Sequence, residues 1–247
     1  MMADILTVMW KERKGLFRIG GSRSRTLLTL LTPVVMIGII FPLMQREEWF
    51  TTAFSLVAAI IIPFILVATA IPESFAGERE RHTLSTLLAS RLPDHAILFG
   101  KMGLAIAYGW IATLILLAVS VVVANLVIGD GQIHFFPPIL VFANVVISLL
   151  VATLLGTLGV LVSLRSPTVQ GAQQMLFAVV LIPGLVLQVA PMLLMSVVPN
   201  GREIMSQILE ADFAHVIIVM SAFLGITSIG LFFLVLMRFQ RAKLILS

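Results

Sequence analysis

Residues 52–103 read TAFSLVAAIIIPFILVATAIPESFAGERERHTLSTLLASRLPDHAILFGKMG. The opening 21 residues, Thr52 to Pro72, carry no charge and show no two-residue alternation. At 1.5 Å per residue they reach about 30 Å as a helix, the thickness of a hydrocarbon layer. A dense charged run follows, then a second apolar stretch begins at Leu104. The stretch therefore predicts two membrane spans joined by a polar segment of about 30 residues.

The same reading repeated along the chain gives six apolar blocks, near Leu27–Met44, Thr52–Pro72, Leu104–Ile128, Pro137–Leu164, Ala172–Val198 and Phe213–Met237. Each is too long and too evenly apolar for an outer-membrane barrel strand, so the fold class expected is an all-α polytopic membrane protein with six transmembrane helices. Composition agrees. Across 247 residues, 60% are hydrophobic and only 11% charged, against about 25% charged in a soluble domain. The mean hydropathy is +1.11. The first block does not read as a signal peptide: basic residues precede it at length, no small-x-small cleavage signal follows, and five further blocks lie behind it.

Charge sets the orientation. With the N-terminus inside, the inner segments hold Lys11, Arg13, Lys14, Arg18, Arg23, Arg25, Arg79, Arg81, Arg91, Lys101, Arg165, Arg238, Arg241 and Lys243, and only Arg46 and Arg202 lie outside. The acids divide evenly, with Asp4, Glu12, Glu73, Glu78, Glu80 and Asp94 inside and Glu47, Glu48, Asp130, Glu203, Glu210 and Asp212 outside. This asymmetry predicts a multi-pass protein with both termini in the cytoplasm, and it accounts for the net charge of +4 without nucleic acid. Cysteine is absent, which excludes disulfides and thiolate chemistry. His82, His95, His134 and His215 are too scattered to assemble a metal site.

The first 25 residues read as an interfacial helix. Ile5, Val8, Met9, Leu16 and Ile19 gather on one side, with Leu6, Trp10 and Phe17 extending the apolar arc, and Lys11, Lys14 and Arg18 fall opposite, toward anionic headgroups. Glu12 and Arg13 break the pattern, and a frayed basic leader is the alternative. Gly20-Gly21-Ser22 ends the segment.

The polar segment at 73–103 is long for a mere connection. It reads as two short helices, one from Glu78 to Leu88 and a second from Pro93 and Asp94 to near Gly100. Leu84, Leu87 and Leu88 form an apolar stripe suited to docking, beside charges that a solvated loop would equally explain. In order, Glu73, Glu78-Arg79-Glu80, Thr83-Leu84, Leu87-Leu88, a proline step and Gly100-Lys101 closely resemble the first cytoplasmic loop of the type-2 ABC (ABC-2) exporter permeases. There the pattern runs Glu-(Arg/Lys)-Glu-x-Gly-Thr-Leu-Glu-x-Leu-Leu, then Pro, then Gly-Lys. Here Arg81, or equivalently His82, stands where glycine is usual, and Ser85 replaces the second glutamate.

The resemblance implies a single permease domain over 1–247 without catalytic activity. A second permease, as homodimer or paralogous heterodimer, and two copies of a cytosolic ATPase subunit complete the assembly. ATP and magnesium belong on that ATPase; this chain needs no cofactor and binds no nucleic acid. Glu73, Glu78, Arg79, Glu80, Thr83, Leu84, Leu87, Leu88 and Lys101 would face the ATPase, aided by the interfacial helix at Trp10, Lys11, Lys14, Phe17 and Arg18. The setting is a bacterial or archaeal plasma membrane, and the cargo an amphipathic, drug-like or lipidic compound moved outward. A haem-handling or copper-enzyme maturation permease, or a structural subunit of another membrane complex, is the alternative.

The chain itself agrees on the energy source. It has no Gly-x-x-x-x-Gly-Lys-Ser/Thr phosphate loop, and no Asp, Glu, Lys or Arg lies inside the six blocks to serve an ion-driven carrier. Ala152, Gly156 and Gly159 suit close helix packing. Asn125, Asn144 and Gln188, with Phe54, Phe64, Phe142 and Phe177, serve equally as a cargo path or as ordinary packing. Pro183-Gly184, Pro191 and Pro199 predict a kinked or broken fifth span, and 190–212 a re-entrant segment with Met205, Ile208 and Leu209 as its apolar edge; a tilted span and simple loop is the alternative.

Single cysteines at Ser22, Gln132 and Ser247 test the orientation. With a membrane-impermeant thiol reagent on intact cells, only position 132 reacts; labelling at 22 or 247 contradicts it.

Overall fold

Apolar residues that cannot be satisfied by water must be packed or left to lipid, and the helices of this chain divide on that line. The computed structural model describes residues 2–16, 32, 35–83, 91–129, 131–197, 200 and 213–238. Its helices are α1 (Met2–Leu16), a π-helical turn (Met36–Ile40) running into α2 (Phe41–Gln45), α3 (Glu48–Thr51), α4 (Phe54–Glu80), α5 (Asp94–Ile128), α6 (Pro138–Ser163), α7 (Val169–Val197) and α8 (Phe213–Arg238). Five of them, α4 to α8, are long and apolar enough to cross a membrane. Of the first apolar block only residues 32 and 35–44 are described, so most of that expected span lies outside the described residues. Its π-helical turn precedes Pro42, whose missing N–H removes the ordinary partner of an upstream carbonyl; Phe41 N–H instead reaches back to Met36.

α4 is the axis of the bundle, packed by α5, α6 and α7, and α8 packs on α6. Small residues make this possible. Ala58, Ala59, Ala68, Ala70 and Ala76 of α4 are almost wholly buried. At the crossings, a Cβ on Gly109 would stand 2.6 Å from Val67, one on Gly156 2.9 Å from Ile106, and one on Gly159 2.8 Å from Ile71. Any larger side chain would push these helices apart. Gly156 and Gly159, expected to serve packing, thus contact α5 and α4 of their own chain. Two buried polar side chains bond between helices: Asn144 Nδ2 of α6 donates to Ser55 Oγ of α4 at 3.0 Å, and Trp49 Nε1 of α3 to Ser120 Oγ of α5 at 3.0 Å. Asn125 clasps the 131–137 segment, accepting from the His134 amide at 2.6 Å and donating to its carbonyl at 2.9 Å. Phe64 meets Phe177 edge to face at 5.1 Å, whereas Phe54 and Phe142 are exposed. The side chain of Gln188 lies outside the described set.

Three expectations need correction. The second span does not stop at Pro72: α4 continues to Glu80, so Glu73, Glu78, Arg79 and Glu80 sit on the last two turns of a spanning helix and not on a helix running from Glu78 to Leu88. The piece starting at Pro93 and Asp94 does not end near Gly100; it is the first turn of α5, which runs unbroken to Ile128. Gly100 is tolerated mid-helix because α1 lies against it, and Gly100-Lys101 is no loop-to-helix junction. Of the kink or break expected in the fifth span, the break is absent: α7 is one helix to Val197 with Pro183 and Pro191 inside it, since each proline removes a single hydrogen bond and a break would strand many more backbone groups in hydrocarbon. Residues 190–197 belong to that helix; 201–212, with Met205, Ile208 and Leu209, lie outside the described residues.

The end of α4 is sealed by its backbone. His82 N–H donates to Arg79 O at 3.0 Å and Thr83 N–H to Glu78 O at 2.9 Å, with His82 left-handed at φ 56°. This is a Schellman closure, whose left-handed position favours glycine. His82→Gly should relieve about 1 kcal/mol of local strain. The expected result is slower amide hydrogen exchange at His82 and Thr83; faster exchange there would contradict the assignment.

Candidate functional site

At the end of the bundle that carries Arg79, Arg81 and Arg165, one charge is buried. Lys101, in the second turn of α5, is 2% exposed. Burying an ammonium costs several kcal/mol unless opposite charges and hydrogen bonds compensate. Here they come from two other helices. Glu78 Oε1 of α4 lies 3.0 Å from Nζ and Glu12 Oε1 of α1 lies 3.2 Å away. The Ser74 carbonyl accepts at 2.6 Å and its hydroxyl oxygen lies at 3.3 Å. The ring of Phe75 is under the ammonium, 5.4 Å to its centroid. The three N–H donors of the lysine thus have acceptors from both α1 and α4.

The cluster extends on both sides. Ser74 Oγ also donates to Glu12 Oε2 at 2.9 Å, and Lys11 Nζ reaches Glu78 Oε1 at 3.3 Å. Lys11 is well exposed, so this pair adds little on its own. Two lysines face two glutamates, and the cluster is neutral as a unit. Among the described residues no group of three His, Asp or Glu side chains could hold a metal. The geometry is that of a mechanical joint between helices.

α1 reaches this joint through shape as well as charge. Val8 is buried, and a Cβ added to Gly100 would fall 2.6 Å from it and 3.2 Å from the Ile5 carbonyl. Ile5, Val8 and Glu12 are spaced i, i+3, i+7 and so share the face turned to α5. Met2, Leu6 and Trp10, spaced by four, form a separate exposed stripe, and all three are more than half exposed. Glu12, which breaks the apolar pattern in the sequence, is the residue that meets Lys101. Lys11 is turned to Glu78. Lys14 lies in the last turn of α1, while Phe17 and Arg18 lie outside the described residues.

Glu78 and Glu80 do different jobs because two residues on a helix point about 200° apart. Glu78 faces α1 and α5. Glu80 Oε2 faces the other way and accepts from the Val169 N–H at 2.9 Å, at the start of α7. That amide has no carbonyl partner within its own helix, so the carboxylate both satisfies it and meets the positive end of the helix. Thr168 Oγ1 accepts from Gly171 N–H at 3.1 Å and completes the cap. Glu73 pairs with Arg81, across the closing turn. Arg79 is half-buried and forms no ion pair with a described residue. Thr83 closes the helix with its amide, and its hydroxyl also donates to the Glu78 carbonyl at 3.3 Å. Leu84, Leu87 and Leu88 lie outside the described residues.

The structure therefore unites Lys11, Glu78 and Lys101, and puts Glu80 on a separate contact and Trp10 on a separate face. It adds Glu12, Ser74, Phe75 and Val169, which were not read from the sequence. Glu12 had a signal, as an acid interrupting an apolar arc. Ser74, Phe75 and Val169 had none, because their roles depend on which helices meet.

A set of long apolar helices joined at one end by a buried charge cluster is a polytopic membrane protein. A family model described as "ABC-2 type transporter" matches residues 3–183, and the chain belongs to that family. It is thus a membrane permease component of an ABC transporter, a class of transport subunit that is generally not itself catalytic and normally works with an ATPase subunit. No curated protein and no solved structure matches the chain.

Replacing Lys101 with Met would leave Glu12 and Glu78 without their buried cation, with only the exposed Lys11 beside Glu78, a change that costs about 3 to 5 kcal/mol when one partner of a buried pair is lost. The expected outcome is loss of amide exchange protection in residues 5–12 of α1. Adding Glu12→Gln and Glu78→Gln to the same chain should restore part of it. Unchanged protection in Lys101→Met would show that the charge cluster does not hold α1.

Proposed function

We propose that this chain is the transmembrane half of an ATP-driven exporter, moving an amphipathic, drug-like or lipidic compound outward, with six spans, both termini in the cytoplasm, and ATP and magnesium bound by a separate ATPase. Two permeases, identical or paralogous, stand on two ATPase subunits in this reading. The plasma membrane of a bacterium or archaeon is the setting. Support for the inside placement of the basic end comes from the distribution of Lys and Arg, 14 of the 16 falling on one side of the expected topology.

The observation that carries the mechanism is the Lys101 joint. Because Glu12, Glu78 and Lys101 are mutually compensating and partly or fully buried, separating them exposes uncompensated charge in a poorly solvated place. α1 and the adjoining ends of α4 and α5 therefore move as one body when the ATPase closes. The link to α7 is of another kind: apolar packing of Ala172 and Leu176 against Ala68 and Ala76 of α4, capped at the helix ends by one exposed carboxylate, Glu80, on one backbone amide. Such a bond exchanges readily with water. In this reading the ATPase presses on the segment after Thr83, with Leu84, Leu87 and Leu88 as the docking stripe and Glu73, Arg79 and Glu80 at its edge. The joint carries the displacement into α4 and α5, and the Glu80 contact yields so that α7 shifts relative to them.

The test compares variants at equal membrane expression. Leu87→Ala with Leu88→Ala should sharply reduce the ATPase that copurifies, since a desolvated apolar stripe supplies most docking affinity, with each fully packed leucine contributing about 2 to 5 kcal/mol. Glu80→Gln should leave assembly intact and lower cargo-stimulated ATP hydrolysis. The purified chain alone should hydrolyse no ATP above a contamination control. Full assembly and transport by the double leucine variant would make this segment a surface connector and move the docking contact elsewhere.

A further inference from the structure

Halfway along the spans, α7 and α8 stand apart over the surface of α4 and α6 and enclose a cavity of about 550 Å³. Ile61 and Phe64 of α4 and Val151 and Leu155 of α6 form its floor, and the walls are Val180, Leu181, Gly184 and Leu185 of α7 and Met220, Phe223 and Leu224 of α8. Pro183 is the middle residue of α7, and Val151 lies at the middle of α6. No charged or hydrogen-bonding side chain lines the cavity. Its volume lies within the roughly 300 to 1,000 Å³ of ordinary ligand pockets.

Such a space does not stay empty. Floor atoms facing a void lose their dispersion partners, and an apolar cavity without polar groups does not recruit water. What fills it depends on which fluid reaches the opening. Among the described spans the wall helices are the least buried: Leu181 is 51% exposed, Leu185 59% and Phe223 65%, whereas Leu155 on the floor is 1% exposed. At this depth of a spanning bundle the surrounding fluid is the acyl region of the bilayer. A ligand that needs polar recognition finds none here.

We infer that this mid-membrane slot between α7 and α8 is a lipid-binding site that holds the acyl chain of a bilayer phospholipid, selected by its chain and not by its headgroup. The chain wedges the two outer helices against α4 and α6 and completes their packing. The inference requires only that α4 to α8 span the bilayer; it does not depend on the direction of transport or on the ATPase contact.

The test uses the full chain in nanodiscs of phosphatidylcholine containing a fraction of molecules with a diazirine near the end of one acyl chain. Photolysis is followed by mass-spectrometric mapping of labelled residues. Ile61 and Phe64 on the floor should be labelled, along with Ile115 of α5, which is 60% exposed and lies outside the slot. Gly184 has open space where a side chain would project, with no atom within 4 Å of an added Cβ. Gly184→Leu should therefore fill the slot and reduce floor labelling several-fold while leaving Ile115 unchanged. Leu154→Phe is a second filling variant should the first fold poorly. Exchanging phosphatidylcholine for phosphatidylglycerol should leave the pattern as it is. Absence of floor labelling in the native chain, floor labelling insensitive to both filling variants, or cross-linked peptides joining the slot to a second copy of the chain would each overturn the inference.

Discussion

A lysine ammonium shut away from water is the constraint around which one end of this protein is arranged. Glu78, Glu12 and the Ser74 carbonyl surround the buried Lys101 and offset the cost of its desolvation, so segments from three helices meet there. Close approach of α1 at Gly100 follows from the same requirement, since Glu12 reaches the ammonium only if the helix lies flat against α5. The first helix thereby becomes part of the membrane bundle while keeping Met2, Leu6 and Trp10 exposed on another side.

The spacing of two acids on α4 ties it to neighbours on two different sides. Glu78 and Glu80, two residues apart, address opposite neighbours. The inner contact is charged on both sides and shielded, and the outer one is a carboxylate on a single amide in contact with solvent. The difference in burial gives the two contacts different resistance to displacement. In the proposed reading, one firm and one yielding attachment within a single turn would let a push on the segment after Thr83 move some helices and not others. The family to which the chain belongs normally works with an ATPase, and this is the end of the bundle proposed to receive it.

Much of the fold was legible because lipid imposes a simple rule on composition. Five of the six apolar blocks coincide with helices that can cross a membrane, and the glycines of the fourth block serve the close packing their spacing suggests. The family was legible too, in the Glu78 to Lys101 pattern. What sequence periodicity misjudged were the helix ends. Pro72 and Gly100 look like stops, yet both lie inside helices, because an unbroken ladder of backbone bonds outweighs one lost donor or one flexible residue when neighbours pack against it. The same logic keeps α7 whole through two prolines. Glu12 looked like a flaw in an amphipathic pattern, and only the three-dimensional position of Lys101 gives it a purpose. Partner identity across 60 to 90 residues of sequence has no local signal.

The direct test of the central claim is a pair of spin-label distances in the assembled transporter, with and without a nucleotide that holds the ATPase closed. One pair sits at Arg13 on α1 and His95 on α5, and the other at Gln170 on α7 and His95. A rigid Lys101 joint predicts that the first distance distribution stays narrow and unshifted while the second changes on closure. A shift or broadening of the Arg13–His95 distances on closure would contradict the account, because α1 would then move independently of the helix whose buried charge is said to hold it.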